Sequence, residues 1–283
     1  MSQQLVRQWQ AKAVSVSQTC RVLGISRSGY YAARQRADQT RVCATTPVLK
    51  AAFADSGRSY GSRRLVAALA HQGITVGRFR VRRLMREAGL KPVWRRKFVA
   101  TTDSRHGMPV AENHLARQFD PIAPNTAWAA DITYIRTRSG WLYLAVVLDL
   151  YSRKVIGWAM DQAMPAALVC RALFLAIQQR NPSPGLLVHS DRGSQYASAE
   201  YQALLHKHAL VCSMSRVGNC WDNAVVERFF LNLKMERVWQ RDYANPQEAE
   251  RDVVDYLVSF YNDRRLSSKL NYLSPNAFEW QAA

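Results

Sequence analysis

Apolar and polar positions alternate in short runs through the second half of the chain, and the runs predict strands before helices. "WAADITYIRT" (128–137) has the length and β-branched content of a strand. Ser139-Gly140 then marks a turn, and "WLYLAVVLDLYS" (141–152) is a longer, more apolar strand. "KVIGWAM" is a third. "PAALVCRALFLAIQQR" (165–180) has helical length and a proline suited to the first turn. "LLVHSD" is a fourth strand, "SAEYQALLHKH" a helix and "LVCSMS" a short strand. A polar loop, "RVGNCWDN", leads into the helix "AVVERFFLNLKMERVW". The order β-β-β-α-β-α-β-α predicts an α/β fold with a mixed sheet flanked by helices. The amphipathic tail "PQEAERDVVDYLVSFYNDRR" is expected to cover the core.

The first half has a helical period instead. Residues 15–36, "SVSQTCRVLGISRSGYYAARQR", predict a helix, a turn at Gly24-Ile25 and a second helix capped by Ser26 and carrying Arg27, Arg34 and Arg36. This has the size of a helix-turn-helix, although any small helical hairpin would look similar. In "YGSRRLVAALAHQGITVGRFRVRRLMREAGL" (60–90), Val81, Leu84, Met85 and Ala88 form an apolar stripe. Arg78, Arg82 and Arg86 share another face with Arg80 and Arg83 beside them, and Gly89 stands where a helix end takes positive φ. "KPVWRRKFVATTDSRHGMP", with Arg95, Arg96 and Lys97, has no period and reads as a basic linker able to follow a phosphate backbone.

Charge sharpens this division. The 283 residues are 48% hydrophobic, enough for a substantial core, with a formal net charge of +18. Residues 1–118 hold 22 Lys and Arg against 5 Asp and Glu, whereas 119–283 hold 17 against 16. So lopsided a front half implies a polyanionic partner rather than only a solvated basic surface. Five cysteines without a CxxC pair suggest reduced thiols. The first residues lack a signal-peptide core, and no apolar run spans a bilayer, so a soluble cytoplasmic protein is expected.

Three carboxylates carry the candidate chemistry. Asp131 lies inside an apolar strand, where an isolated charge is costly. Asp191 ends the fourth strand before a glycine loop, a place where α/β sheets put ligands, with turn-capping as the ordinary alternative. Glu227 lies on the helix after the polar loop, with Lys234 two turns along the same face; alone it reads as surface decoration. Together the three suit metal-assisted phosphoryl displacement, and hard oxygen donors suit Mg2+. Asp149 reads as a structural strand-end residue. His189 is either a satisfied interior histidine or an orienter of Asp191. Trp221 reads as a packing residue, with base stacking as the alternative. His206, His208, Cys212 and Cys220 match no common zinc spacing.

"WAADITYI", "HSDRGSQY" and "NCWDNAVVERFFLNLKME" resemble the three catalytic blocks of the retroviral-integrase-like DDE transposases, in particular the orfB products of the bacterial insertion-sequence-three family. Between Asp191 and Glu227 lie 35 residues, the spacing that marks this branch. "GWLYLAVVLDLYSRKVIGWAM", "YGSRRL", "RVRRLMREAGL" and "YNDRRLSSKLNYLSPNAFEW" also resemble family segments, so the likeness runs along nearly the whole chain. It implies an RNase H-like mixed-sheet catalytic core preceded by an all-α helix-turn-helix DNA-binding region. The expected boundaries are 1–42 for a helix-turn-helix and 43–119 for a second such unit with its basic linker. The catalytic core would occupy 120–240, and a helical tail packed on it 241–283.

The resemblance further implies Asp131, Asp191 and Glu227 as catalytic ligands of Mg2+ or Mn2+, two ions in number, and Lys234 as a DNA contact near the terminal nucleotides. Arg27, Arg78, Arg82, Arg86, Arg95, Arg96 and Lys97 are the expected further DNA contacts. The implied activity is a DDE-type polynucleotidyl transfer. The ends of an insertion sequence are cut, and the freed 3′-OH attacks another strand without a covalent enzyme intermediate. The implied partners are terminal inverted repeats, target DNA, further copies of the chain and the upstream orfA product, fused or separate, with no membrane. The alternatives are a metal-dependent nuclease on the same fold and a non-catalytic DNA-binding regulator.

Overall fold

The computed structural model describes residues 6, 9–10, 14–38, 44–93, 110–216 and 221–282, with the backbone alone at 33–38 and 282. Arg95, Arg96, Lys97 and Cys220 lie outside these residues. The chain divides into two units, Met1–Val48 and Leu49–Ala283.

In the first unit Ser15 caps helix α1 (Val16–Val22), its Oγ accepting from the Gln18 N–H at 3.2 Å. Gly24, at φ +63°, reverses the chain. Ser26 Oγ then accepts from the Gly29 N–H at 3.0 Å, starting α2 (Arg27–Asp38). Val6, Val16, Cys20 and Tyr30 bury one another to hold the pair together.

Helices α3 (Thr45–Asp55), α4 (Ser62–His71) and α5 (Arg78–Glu87) follow. Leu49, Phe53, Leu65, Leu69, Val81, Leu84 and Met85 are buried among them. Gly89, at φ +66°, closes α5 while the Leu90 N–H donates to the Met85 carbonyl at 2.8 Å, satisfying a helix-end acceptor. This helical group is stitched to the C-terminal segment. The Leu266 N–H donates to Tyr60 Oη at 2.7 Å, and Arg64 lies 3.5 Å from Glu236.

Five strands form one sheet in the order β3-β2-β1-β4-β5. β1 (Ala127–Thr137), β2 (Gly140–Asp149) and β3 (Val155–Asp161) are an antiparallel meander. β4 (Leu187–Ser190) and β5 (Val211–Met214) join parallel to β1, through the crossover helices α6 (Ala166–Arg180) and α7 (Ala199–Lys207). Trp128, Ala130, Val147 and Ile156 pack against Leu168, Ala172 and Leu173 of α6 and Tyr201 and Leu205 of α7. Gly157 lets α6 approach: a Cβ there would stand 2.2 Å from the Ala172 carbonyl oxygen.

The helix after the polar loop, α8, spans Ala224–Glu236 and ends earlier than its apolar period suggests. Arg237 leaves the helix because its guanidinium reaches Asp252 at 2.9 Å and Asp255 at 3.1 Å. Those aspartates lie on α9 (Pro246–Asp255), which widens into a π-helical turn at Tyr256–Asn262. The Asn262 amide then accepts from the Val155 N–H at 3.0 Å and donates to its carbonyl at 2.8 Å, occupying the edge strand β3. α10 (Pro275–Ala282) is held by Glu279, which accepts from Ser152 Oγ at 2.6 Å and pairs with Lys154 and Arg180. Among the described residues no helix is long and apolar enough to cross a membrane.

We expect Gly157→Ala to lower unfolding stability by about 3 kcal/mol, because the extra methyl meets rigid backbone. Urea denaturation checks this; an unchanged midpoint would refute the close approach.

Candidate active site

The parallel ladder between β1 and β4 brings Ala129 opposite His189. Two residues further along each segment stand Asp131 and Asp191, on the same side of the sheet by the period of two. That side is the one away from α6 and α7, whose core partners on β1 are Trp128, Ala130 and Ile132. β4 ends at Ser190, so Asp191 meets its neighbour where the strand has opened into a loop. Asp191 Oδ1 accepts from the Gly193 N–H at 2.8 Å, and a Cβ on Gly193 would crowd that oxygen at 3.0 Å. Asp131 Oδ1 accepts from the Ile132 N–H at 2.8 Å.

Helix α8 supplies the third carboxylate. Val226, Phe229, Phe230 and Leu233 are buried and fix its rotation, which leaves Glu227 and Lys234 on the face toward the two aspartates. Electrostatics shows the convergence. Burial pushes the Asp131 carboxyl well above its usual range. The Asp191 charge pushes it further and Glu227 adds to this, while the Ile132 N–H and Lys234 oppose. Glu227, itself exposed, is raised by burial of its carboxyl and by Asp191. Lys234 is lowered by burial, with Asp131 acting against that, and its Nζ lies 4.4 Å above the centre of the Tyr134 ring.

Among the described residues no three His, Cys, Asp or Glu side chains are gathered tightly enough to form a ready metal cage. The chemistry of the donor set nevertheless fits a hard divalent cation. All three donors are carboxylates, and they repel one another, with the partly desolvated Lys234 ammonium acting on Asp131.

What orients α8 was not legible beforehand. Asp222, buried just before the helix, accepts from the Arg216 N–H, Arg216 Nε and Arg216 Nη2, each at 3.0 Å. It also accepts from Arg117 Nε at 2.9 Å and Asn113 Nδ2 at 2.8 Å. The Arg216 guanidinium, its largest influence, holds this carboxyl far below the usual range. The adjacent Asn223 donates to the Ala130 carbonyl at 3.3 Å, one residue from Asp131. The signal in the sequence was a charged pair, Arg216 and Asp222, flanking the loop; its partners Asn113 and Arg117 lie about a hundred residues away and no local period reveals them.

The remaining candidates separate clearly. His189 is fully buried with Nδ1 2.9 Å from Ser213 Oγ and Nε2 3.2 Å from Ser215 Oγ; burial lowers its pKa to about 4 and keeps it neutral. It ties β4 to β5. Asp149 accepts from the Asn125 and Tyr151 N–H groups, both at 2.9 Å, as a structural strand-end residue. Trp221 does not pack as expected: it is 68% exposed, because Asp222 and Asn223 beside it turn inward instead. Arg27 is exposed on α2 of the first unit; Arg78, Arg82 and Arg86 are exposed on α5, and none of these three is among the charges that act on the carboxylates.

Comparison with known proteins agrees with this architecture. The Integrase core domain family matches residues 121–220, a second Integrase core domain description matches 208–275, and the HTH-like domain family matches 45–98. The "Insertion element IS600 uncharacterized 31 kDa protein" of Shigella sonnei is 43% identical, over 92% of this chain and 96% of its own. "Transposase InsF for insertion sequence IS3A" of Escherichia coli (strain K12) is 43% identical, over 94% of each chain. A solved HTLV-2 integrase catalytic core domain in complex with magnesium is 18% identical, covering 56% of this chain and 97% of that one; its TM-score of 0.42 is too low for residue-by-residue transfer.

Asp222→Asn should cost about 2 kcal/mol at neutral pH, since it weakens several charge-assisted hydrogen bonds at once. The folded carboxyl is depressed from 3.8, so its contribution is present above that pH and fades as pH falls toward the folded value. Urea midpoints of the two proteins should therefore converge below pH 3.8. A gap that is constant with pH would refute the ionic clamp.

Proposed function

We infer the activity from one premise: the chain belongs to the transposase family of the insertion sequence IS3, and its homology is that of a polynucleotidyl transferase acting as a DNA transposase. We propose that Asp131, Asp191 and Glu227 are its catalytic carboxylates. The observation that carries this is their convergence beside mid-β1 where β4 ends, with Asp131 and Glu227 both raised by burial and then by charges from within the trio.

The three residues would hold Mg2+ or Mn2+, two ions by our proposal, which supply charge neutralisation and Lewis acidity at the scissile phosphate. The chain's own groups set the geometry. The sheet fixes Asp131, the Gly193 N–H holds Asp191, and the Asp222 clamp with Asn223 holds the helix that carries Glu227. Lys234, partly desolvated over Tyr134, would pair with a phosphate near the terminal nucleotides.

In the first step water attacks phosphorus at the element's end. One P–O bond forms, the P–O bond to the 3′-oxygen breaks, and the displaced strand leaves with a 3′-OH after taking up a proton. In the second step that hydroxyl loses its proton and attacks a phosphodiester of another strand. Each P–O bond formed is matched by one broken, so no high-energy cofactor is consumed. Positioning and charge account for the catalysis.

The HTH-like segment at 45–98 and the exposed arginines of α5 support binding of terminal repeats. Joining two ends calls for a second copy of the chain on DNA. We further propose that the product of an upstream reading frame assists it, fused or separate.

An end duplex incubated with Mg2+ tests the reading. Wild type should cut and join. Asp191→Asn, Asp131→Asn and Glu227→Gln should each lose at least about a thousandfold in rate while binding the duplex within about threefold of wild type. Cutting without joining would instead mark a nuclease, and unchanged activity in the variants would overturn the assignment.

A further inference from the structure

Helix α5 carries a residue that the arginine pattern does not explain. Phe79 is 84% exposed, at the second position of the helix. Its i+3, i+4 and i+7 neighbours are Arg82, Arg83 and Arg86, so one face begins with a phenyl ring and continues as a guanidinium stripe. The opposite face, Val81, Leu84 and Met85, is buried. Arg83 is paired with Glu87 at 3.6 Å, and Glu87 is the helix's one acidic residue. The face is therefore strongly cationic with an apolar tip.

That chemistry chooses the occupant. A cationic stripe fits a polyanion, and a polyanion that also rewards a ring at the helix's N-terminal end is duplex DNA read in its major groove. There the first residues of the second helix of a helical pair reach base edges. A phenyl ring neither donates nor accepts hydrogen bonds, so phosphates and most base-edge groups would lose hydration against it. The thymine 5-methyl is the apolar feature of the major groove and is the group it matches. An apolar groove on a protein would cover the ring and leave the arginines without counter-charge.

We propose that Phe79 packs against a thymine methyl of the element's terminal repeat while Arg82, Arg83 and Arg86 hold flanking phosphates, which makes α5 the base-reading helix. The proposal rests on the transposase reading and adds the residue that reads sequence.

Binding of the full chain to the end duplex and to a scrambled duplex of equal length tests it, by fluorescence anisotropy across salt concentrations. Phe79→Ala should weaken end binding about tenfold, leave scrambled binding within about twofold and keep the salt slope. Arg82→Ala should weaken both and reduce the slope by about one. Replacing thymines by uracil one at a time removes the methyl alone. One position should reproduce the Phe79→Ala loss in wild type and add nothing in the variant. Because the ring is exposed, the variant's melting temperature should match wild type.

Equal loss on both duplexes, no loss on either, or no thymine coupled to Phe79 would overturn the proposal. So would a variant that binds DNA normally but loses self-association, which would assign the face to a second copy. Wild type that prefers the end while Phe79→Ala behaves identically sinks this inference alone. Wild type that neither prefers nor cuts the end sinks the transposase reading with it.

Discussion

The repulsion among Asp131, Asp191 and Glu227 is the constraint the structure is arranged around. Three carboxylates at the mouth of a sheet would swing toward solvent if their backbones were free. They are held by parts that cannot follow them. Asp131 belongs to the central strand of five. Asp191 leaves a strand whose next residues fold back to donate a hydrogen bond to it. Glu227 rides a helix with four large apolar side chains sunk in the core. The protein thus holds an electrostatic cost in a rigid frame, which the cation of the proposed function would relieve.

Two other buried carboxylates, Glu236 and Asp222, show what a cation-paired one looks like here. Glu236, nine residues beyond Glu227 on the same helix, receives Arg265 Nε and Nη2, both at 2.7 Å, and Tyr256 Oη at 2.8 Å. Burial alone would raise it, yet Arg265 overrides burial and keeps the group below its usual range. Asp222 is depressed by Arg216 and Arg117 in the same way. One helix therefore carries a compensated carboxylate at its inner end and an uncompensated one at its outer end. The first anchors α8 to the C-terminal segment, and the second is the one we propose for catalysis. The tail is part of the site's support for this reason, not an appendage.

Legibility followed range of interaction. The five strands and the helices α6 to α8 were readable because each is a local period bounded by Gly, Pro or polar turns, and Ser26 and Gly89 were readable as caps. Asp131 stood out because a charge in an apolar strand is anomalous in one dimension. Glu227 did not; only its spacing from Asp191 and the family blocks singled it out. Asp222 and Glu236 were missed since their partners come from distant segments, Arg117 and Arg265. Trp221 was misjudged because hydrophobicity says that a side chain can be buried, while its neighbours decide which residue of a tight loop turns inward.

The arginines divide by the same logic, which bears on how a net charge of +18 should be understood. Arg265, Arg237, Arg216 and Arg180 are committed to carboxylates within the larger unit, and their charge is spent on holding the fold. Those on α5 stand on an exposed helical face with a single glutamate among them. Charge per residue therefore overstates polyanion binding in the second half, whereas Arg78, Arg82 and Arg86 of α5 stand exposed on the helix surface. On the proposed function, a nucleic-acid backbone at the helical face and a scissile phosphate at the carboxylates would place demands of opposite sign on one ligand. Only a ligand that brings its own cations to the acidic end meets both, and phosphodiesters with divalent counter-ions are such a ligand. The basic front and acidic site are thus two halves of one recognition problem, solved on separate elements so that neither charge cancels the other.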